Sequence, residues 1–355
     1  MKVTVTANLN VRVGKPSLNA PCYQYLAPGS ILEVEGNLYS GDMYDGISTW
    51  YKDLAGNYYW SGGVGKVKVE NLILEDNAKN ANFWVEKFGL DKLFLLLFKE
   101  IQNIRITILD TGIEPEHPDM KGIDRNISNI VWPGKPINDE DGHGTHCAGI
   151  ISASGVKLIK GVLPGHQLNI GKIMASPDPD FGGLTNEILI NALDIYGPIS
   201  DVISISAGFS TYDKDLYDKI KFYADQGVII VAAIGNNEGE TSHPCYPAIF
   251  DECISVGALN SLCELSDLTI RVDKIDICFP GENIISTVPI SMGSYDKKSG
   301  TSMSTPFVAG IIALIKAKYP SWGYREIREK LRDISDLKTV QNFNYRAIKN
   351  KNIEI

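Results

Sequence analysis

The stretch Ile104-Arg105-Ile106-Thr107-Ile108-Leu109-Asp110-Thr111-Gly112 places an acidic residue directly after an apolar run. The run alternates at first and then becomes fully apolar, which is typical of a strand buried in a parallel sheet. In open α/β sheets, sites form at the carboxyl ends of such strands. The sequence therefore predicts an α/β fold with a functional carboxylate, Asp110, at one edge of the sheet.

Other apolar runs predict further strands and the helices that cover them. The run from Asp201 to Ile205 leads into Ser206-Ala207-Gly208, and the run from Val228 to Ile234 leads into Gly235-Asn236. Helices are predicted at Glu187 to Tyr196, Lys214 to Asp225, Phe307 to Lys318 and Tyr324 to Arg332. Strands that alternate with helices favour a parallel sheet with helices on both faces.

Two further segments offer a base and a nucleophile. His143 lies between glycines, in Asp141-Gly142-His143-Gly144, where main chain and substrate can approach the ring closely. Ser302 lies in Gly300-Thr301-Ser302-Met303, just before a long apolar helix. A serine hydroxyl is a weak nucleophile until a neighbouring base removes its proton. Taken singly, Asp110, His143 and Ser302 are ordinary turn, loop and helix-cap residues; taken together they indicate nucleophilic catalysis.

In the order Asp, His, Ser, these segments resemble the motifs of the subtilisin-like serine peptidases, the subtilases. The resemblance runs from about residue 80 to residue 337. It implies a subtilisin-like parallel sheet and a serine endopeptidase that cleaves protein or peptide substrates bound in extended conformation. It also implies that Ser302 attacks the scissile carbonyl, His143 moves the proton and Asp110 orients the histidine ring.

The resemblance extends to the residues that stabilise and bind the substrate. Val231-Ala232-Ala233-Ile234-Gly235-Asn236 is similar to the family segment that places an amide in the oxyanion hole, which implies that role for Asn236. Asn237 is the competing candidate, and the main-chain N–H of Ser302 is the second donor. The resemblance implies a pocket wall made of Ser206, Ala207 and Gly208, and a strand-like substrate edge at Gly182 and Gly183.

The N-terminal part differs in composition from the rest of the chain. It lacks helical periodicity, is rich in turn residues and aromatics, and has short alternating runs such as Ile31 to Gly36. Trp50-Tyr51-Lys52 and Gly56-Asn57-Tyr58-Tyr59-Trp60 resemble segments of a bacterial SH3-type (SH3b) barrel. The aromatic cluster could form a ligand groove or the core of a small domain.

These features predict four parts of the chain. They are an all-β SH3-like barrel at 1–75, a helical connector at 76–100, a subtilisin-like peptidase domain at 101–337 and a tail at 338–355. The tail is expected to be either a solvated end or a strand that returns to the body.

No cofactor and no metal are expected. Asp119 matches an acid that the family uses for calcium, but the segment Gly155-Val156-Lys157 offers no carboxylate or amide to complete a shell of six to eight oxygens. Six cysteines are expected to be thiols, with a disulfide or metal site among the last four as the alternative. Cys147, near His143, is interpreted as a small buried residue or as a reactive thiol.

Net charge and hydropathy limit the kinds of partner that the chain is expected to have. A net charge of −9 disfavours nucleic acid, and the longest apolar run is too short to span a bilayer. The first residues lack the apolar core of a secretory signal, which favours a cytoplasmic location. A cytoplasmic peptidase needs restraint, so regulation by the N-terminal domain or by a protein partner is expected. The alternatives are a catalytically idle, peptide-binding scaffold and a wall-binding protein led by the barrel.

Overall fold

The computed structural model describes most of the 355 residues. Described are residues 2–5, 9–26, 31–35, 37–66, 82–175, 183–237, 239, 243–349 and 351–355. The chain divides into two compact units, Met1–Ala78 and Lys79–Ile355.

The first unit is all-β in its described part. Its strands are β1 (Lys2–Val5), β2 (Leu9–Val13), β3 (Cys22–Leu26), β4 (Ile31–Glu33), β5 (Tyr39–Tyr44), β6 (Ile47–Lys52), β7 (Asn57–Trp60) and β8 (Val64–Lys66). They form two antiparallel sheets, in the orders β4-β1-β8 and β3-β2-β7-β6-β5. An SH3-like barrel stays a prediction.

The aromatic residues of this unit are divided between its interior and its surface. Trp50 and Tyr59 are buried, and Tyr59 belongs to an apolar core with Val5, Leu9 and Val11. Tyr44, in contrast, is 55% exposed, and its ring meets the edge of Trp60 at a centroid distance of 4.9 Å. Part of the cluster therefore builds the core and part faces solvent.

The second unit is built on a long parallel sheet. Its strands are β9 (Ile106–Asp110), β10 (Asp124–Asn129), β11 (Leu168–Lys172), β12 (Val202–Ile205), β13 (Ile229–Ala233), β14 (Cys253–Leu259), β15 (Ile277–Pro280), β16 (Ile284–Thr287), β17 (Tyr295–Lys298), β18 (Ser335–Val340) and β19 (Phe343–Ile348). Nine of them pair in the order β10-β11-β9-β12-β13-β14-β15-β19-β18. Only the last pair, β19 and β18, is antiparallel within this described sheet.

Eight α-helices accompany this sheet in the described residues. They are α1 (Phe83–Lys87), α2 (Leu90–Leu96), α3 (Phe98–Ile101), α4 (His143–Ser152), α5 (Asn186–Tyr196), α6 (Lys214–Asp225), α7 (Thr301–Lys318) and α8 (Tyr324–Asp333). Almost every residue of α7 is buried, because the helix packs against α4 and against strands β12 to β15. A helix that is apolar all round belongs in a core of this kind.

The predicted connector, 76–100, is described from residue 82 onward, and there it contains the short helices α1 to α3, with Gly89, where φ is +67°, between α1 and α2. The structure differs from the predicted limits in two places. The boundary predicted at 337 falls inside β18, and β18 and β19 form a hairpin on the sheet. Its two-residue turn, Gln341-Asn342, has φ of 47° and 64°, as a type I′ turn requires.

The second difference concerns the helices of the site. Helix α4 begins at His143, and α7 begins at Thr301, before the predicted start at Phe307. Both His143 and Ser302 therefore lie in the first turn of a helix.

Candidate active site

Parallel pairing brings the ends of three strands to one edge of the sheet. Asp110 is the last residue of β9, and the neighbouring strand β12 pairs Ile205 with Leu109. Ser206 therefore follows β12 at the level of Asp110. On the other side of β12, strand β13 ends at Ala233 and is followed by Asn236. An acid, a pocket wall and an amide thus meet at the edge where sites in such sheets form.

Asp110 and His143 are in direct contact. Asp110 is 1% exposed, and its Oδ1 lies 2.7 Å from Nδ1 of His143. The same oxygen accepts a hydrogen bond from the main-chain N–H of Thr111 at 2.8 Å. Burial by itself lowers the pKa of His143, but the negative charge of Asp110, its hydrogen bond to the ring and the interactions with Cys147 together outweigh burial and hold that pKa well above its ordinary value of 6.5.

The Ser302 hydroxyl faces the same cleft as His143. Both side chains line a cavity of about 550 Å³, together with Leu184 and Phe209. The hydroxyl donates to the main-chain oxygen of Ser206 at 3.2 Å. Between these described residues no hydrogen bond joins Ser302 Oγ to His143 in this arrangement.

Pro306 determines where the carbonyl of Ser302 is bonded. Proline has no N–H, so the helix cannot supply the usual donor to the residue four positions earlier. Instead, Ser206 Oγ donates to the Ser302 oxygen at 2.9 Å and Cys147 Sγ donates to it at 3.6 Å. The main chain of Ser302 is thereby attached to the end of β12 and to helix α4.

Asn236 is held by one end of its side-chain amide. Its Oδ1 accepts the main-chain N–H of Thr301 at 2.9 Å and the Thr301 hydroxyl at 3.1 Å. Because a main-chain N–H can only donate, the oxygen is the atom that faces Thr301. The Nδ2 group then lies on the other side, against Gly300 and the cavities that Ser302 lines.

Asn237, the competing candidate, is bonded elsewhere. Its Nδ2 donates to the main-chain oxygen of Asp267 at 3.3 Å, and its N–H donates to Leu268. Among the described residues, Asn236 is therefore the asparagine that lines the cleft beside Ser302.

A second cavity adjoins Ser302 and has a volume of about 300 Å³. Ser206, Ala207 and Gly208 line this cavity. Their role as the wall of a substrate pocket stays a prediction. Sequence reasoning missed two further lining residues, His243 and Cys245. They follow no motif, so only the fold could place them there.

The predicted substrate edge is described in part. Gly182 lies outside the described residues. Gly183 is buried and precedes Leu184, which lines the cleft of Ser302 and His143. A role for this edge stays a prediction.

The described residues contain one group with metal-ligand chemistry. Ligand-type atoms of Asp110, His143 and Cys147 lie within 4.8 Å of one another. Burial raises the pKa of the Cys147 thiol, which therefore stays protonated and serves as a donor near the histidine. Asp110 and His143 are already bonded to each other, so this group fits a proton-transfer pair better than a metal shell.

Asp119, the acid considered for calcium, is surrounded by hydrogen-bond donors. It is fully buried, and its oxygens accept the N–H groups of Lys157, Leu158 and Ile159 at 2.6, 2.9 and 2.9 Å and the hydroxyl of Tyr295 at 2.9 Å. Donors repel a cation, so this loop is built to hold a carboxylate rather than calcium. Cys147, Cys253, Cys263 and Cys278 are buried thiols.

Comparisons with known proteins identify the family of this chain. The model of the subtilase family matches residues 102–347. "Subtilisin" of Bacillus pumilus is 33% identical over 233 residues, which cover 64% of this chain and 82% of that protein. "Major intracellular serine protease" of Bacillus subtilis (strain 168) is 36% identical, with 61% of this chain and 69% of the relative covered.

Other relatives are longer than the matched region. "Subtilisin E" of Bacillus subtilis (strain 168) is 33% identical over 233 residues, and this chain spans 59% of its length. In the part of the chain that the structure describes, no α-helix combines the length and the apolar character of a membrane span.

The family match spans more than half of the chain and includes every residue of the site, so the chain belongs to the subtilase family and is a subtilisin-like serine endopeptidase.

Proposed function

We propose that this chain hydrolyses peptide bonds through Asp110, His143 and Ser302. Asp110 accepts a hydrogen bond from the Nδ1–H of His143, so the proton of the neutral ring is on Nδ1 and Nε2 is the basic nitrogen. On binding of substrate, the Ser302 hydroxyl turns from the Ser206 carbonyl to His143 and attacks the scissile carbonyl. His143 accepts the proton and then passes it to the leaving amine. Water hydrolyses the acyl-enzyme by the same route.

The observation that carries the proposal is the contact of 2.7 Å between Asp110 and His143, in a cleft that Ser302 also lines. A buried acid next to a histidine is costly in a purely structural role, because the acid loses its water. Here it raises the pKa of the ring that has to accept a proton. Both findings agree with a general base that Asp110 orients.

Charge that develops on the substrate oxygen is stabilised by two donors in this proposal. One is the main-chain N–H of Ser302, in the first turn of α7, where the helix dipole favours negative charge. The other is Nδ2 of Asn236, whose orientation follows from the two hydrogen bonds between Oδ1 and Thr301. Both donors are fixed before the reaction, which is what makes such stabilisation large.

The substrate is a protein or peptide in extended conformation. Ser206 to Gly208 extend beyond the carboxyl end of β12, and a peptide can pair with this main chain while its side chains enter the neighbouring cavities. Gly182 and Gly183 are proposed to form the opposite edge. No nucleic acid, cofactor or metal takes part in this proposal.

Labelling by a fluorophosphonate probe tests the proposed reaction. The probe forms a covalent bond with an activated serine, and we expect labelling of the wild type and none of Ser302→Ala. Ser299→Ala is the matched control, because this exposed serine is three positions earlier and accepts a bond only from the N–H of Asn283. Labelling that survives in Ser302→Ala, or a wild type that is never labelled, would contradict the proposal.

One observation favours a second candidate function. The Ser302 hydroxyl is bonded to the Ser206 carbonyl and not to His143, which also suits an idle fold that binds peptides in its cleft. Peptide binding without turnover by the wild type would support that candidate.

We also propose that activity is regulated, by the first unit or by a protein partner, and that the protein works inside the cell. Two relatives are named intracellular serine proteases, one from Bacillus subtilis (strain 168) and one from Paenibacillus polymyxa. A peptidase at such a location has to be restrained.

A further inference from the structure

The carboxylate of Asp139 lies outside the catalytic group and accepts an unusual number of hydrogen bonds. It is 6% exposed. Its Oδ1 accepts the Thr111 hydroxyl at 2.7 Å and the N–H groups of Gly142 and Asp141 at 2.8 and 3.2 Å. Its Oδ2 accepts the N–H and the hydroxyl of Thr145 at 2.7 and 2.6 Å.

These donors flank both members of the acid–base pair. Thr111 directly follows Asp110, whereas Gly142 precedes His143 and Thr145 follows it by two positions. The Thr111 hydroxyl also accepts the N–H of Gly144 at 2.8 Å. One buried carboxylate and one hydroxyl therefore connect the end of β9 with both sides of the histidine.

Helix α4 needs such a group because it cannot cap itself. Its N-cap residue is Gly142, which has φ of +85° and no side chain to accept the first N–H groups. Side-chain oxygens normally fill that role. Asp139 supplies it from outside the helix, and its negative charge faces the positive end of the helix dipole.

The segment that carries Asp139 is itself fixed from two directions. Lys172 is fully buried at the end of β11, in register with Asp110, and its Nζ donates to the Asn138 carbonyl at 2.6 Å and to the Glu140 carboxylate. On the other side, Gly112 has φ of +119°, and a Cβ there would lie 2.3 Å from the main-chain oxygen of Ile137. Any side chain at that position would push the segment away.

We propose that Asp139, together with Thr111, is a positioning residue that holds His143 against Asp110. The inference rests on the proposed function and adds to it a residue that touches neither substrate nor the reacting atoms. Without the carboxylate, the first turn of α4 and the end of β9 would lose their common acceptor. The distance between His143 and Asp110 would then vary, and proton transfer from Ser302 would be slower.

Asp139→Asn is the informative change. Both oxygens face main-chain N–H groups, which cannot accept, so an amide nitrogen in either position meets a donor. We expect kcat for a peptide substrate to fall by about 10- to 100-fold, with little change in KM, because a small displacement of catalytic groups has effects of this size. We also expect the far-downfield proton resonance of the His143 Nδ1–H to shift or broaden.

Asp141→Asn is the matched control. It removes the same charge from the same loop, closer to His143, but only the main-chain N–H of Asp141 takes part in the network. We expect kcat and the His143 resonance to stay close to those of the wild type. A folded Asp139→Asn protein that behaves like Asp141→Asn would overturn the proposal.

If Asp139→Asn does not fold, a second pair of variants, at Thr111, tests the positioning role. Thr111→Val keeps the shape of the side chain and removes the hydroxyl, whereas Thr111→Ser keeps the hydroxyl. We expect the valine variant to lose kcat and to disturb the His143 resonance, and the serine variant to recover most of both. Equal behaviour of the two variants would contradict the positioning role.

The two readouts separate this inference from the proposed function. The His143 resonance reports the contact with Asp110 whether or not peptides are cleaved. A wild type that shows the resonance but is never labelled by a fluorophosphonate would contradict the proposed function alone. A wild type that is labelled, with a resonance unaffected in Asp139→Asn and in Thr111→Val, would contradict the positioning role alone.

Discussion

At the scale of single residues, Asn236 and Asn237 are neighbours with different surroundings. Asn236 is tied to Thr301 through its oxygen and lines the cleft, whereas the Asn237 amide donates to Asp267. We expect Asn236→Ala to lower kcat by about 10²- to 10³-fold with little change in KM, because its donor acts mainly in the transition state. Steady-state kinetics on a peptide substrate measure both constants.

Asn237→Ala is the control for that change, since its side chain points to another part of the molecule. It should keep kcat within a few-fold of the wild type. Equal losses in the two variants would show that Asn236 supports the local fold rather than the oxyanion.

The Asp110–His143 contact predicts how activity depends on pH. In the proposed reaction, His143 has to be neutral to accept the serine proton. Burial lowers its pKa, but the interactions with Asp110 and Cys147 together hold it above 6.5. Activity should therefore increase with pH through a pKa above 6.5. We expect Asp110→Asn to lower kcat and to move the remaining acid limb to lower pH, because the neutral amide no longer stabilises the charged ring.

Profiles of kcat/KM against pH for the two proteins measure this shift. An acid limb at the same pH in both would mean that Asp110 does not set the pKa of His143.

At the scale of elements, the loop that carries Lys157 to Ile159 is fixed by Asp119. Burial by itself raises the pKa of the Asp119 carboxyl, but hydrogen bonds from the loop and from Tyr295 outweigh burial and lower it. We expect Asp119→Asn to reduce the free energy of unfolding by about 2 kcal/mol at neutral pH, since charged acceptors are replaced by an amide.

The pH dependence of that loss has a definite sign. A carboxyl whose pKa is lower in the folded state stabilises the fold above its unfolded pKa of about 3.9, and this contribution disappears as the pH falls through the folded value. The difference in melting temperature between wild type and Asp119→Asn should therefore shrink in acid. Glu116→Gln, an exposed change in the same segment, should have little effect at either pH.

The elements also show how far the sequence predicts the fold. Helices α5, α6 and α8 start and end within about two residues of their predicted limits, because their apolar periodicity is regular. Helix α7 extends further toward its N-terminus than predicted. Its first turn contains small polar residues and is followed by Pro306, which together resemble a loop.

The sequence predicts only those residues of the site that lie in short local motifs. Asp110, His143, Asn236 and Ser302 each lie in a short segment that carries its own signal. In contrast, the bond between Asn236 and Thr301 and the contacts of Asp139 join segments far apart in the chain. No pattern of neighbouring residues contains these contacts, so the fold was needed to find them.

At the scale of the whole molecule, the proposed inhibition of the second unit by the first can be tested. If the first unit inhibits the second, a shortened chain that begins at Asp76 should cleave peptides faster than the full chain. Comparison of kcat/KM for the two proteins, each first shown to be folded, measures the effect. Equal and high activity in both would exclude inhibition by the first unit and leave a protein partner as the regulator.

The sequence separation between the residues of the site also affects when the site can form during synthesis. The contacts of the site span 33 positions between Asp110 and His143, 65 between Asn236 and Thr301 and 96 between Ser206 and Ser302. Closing such loops costs entropy that only the completed sheet compensates, and folds rich in distant contacts form slowly. Because Ser302 lies near the end of the second unit, the proposed site cannot form until most of that unit has been synthesised.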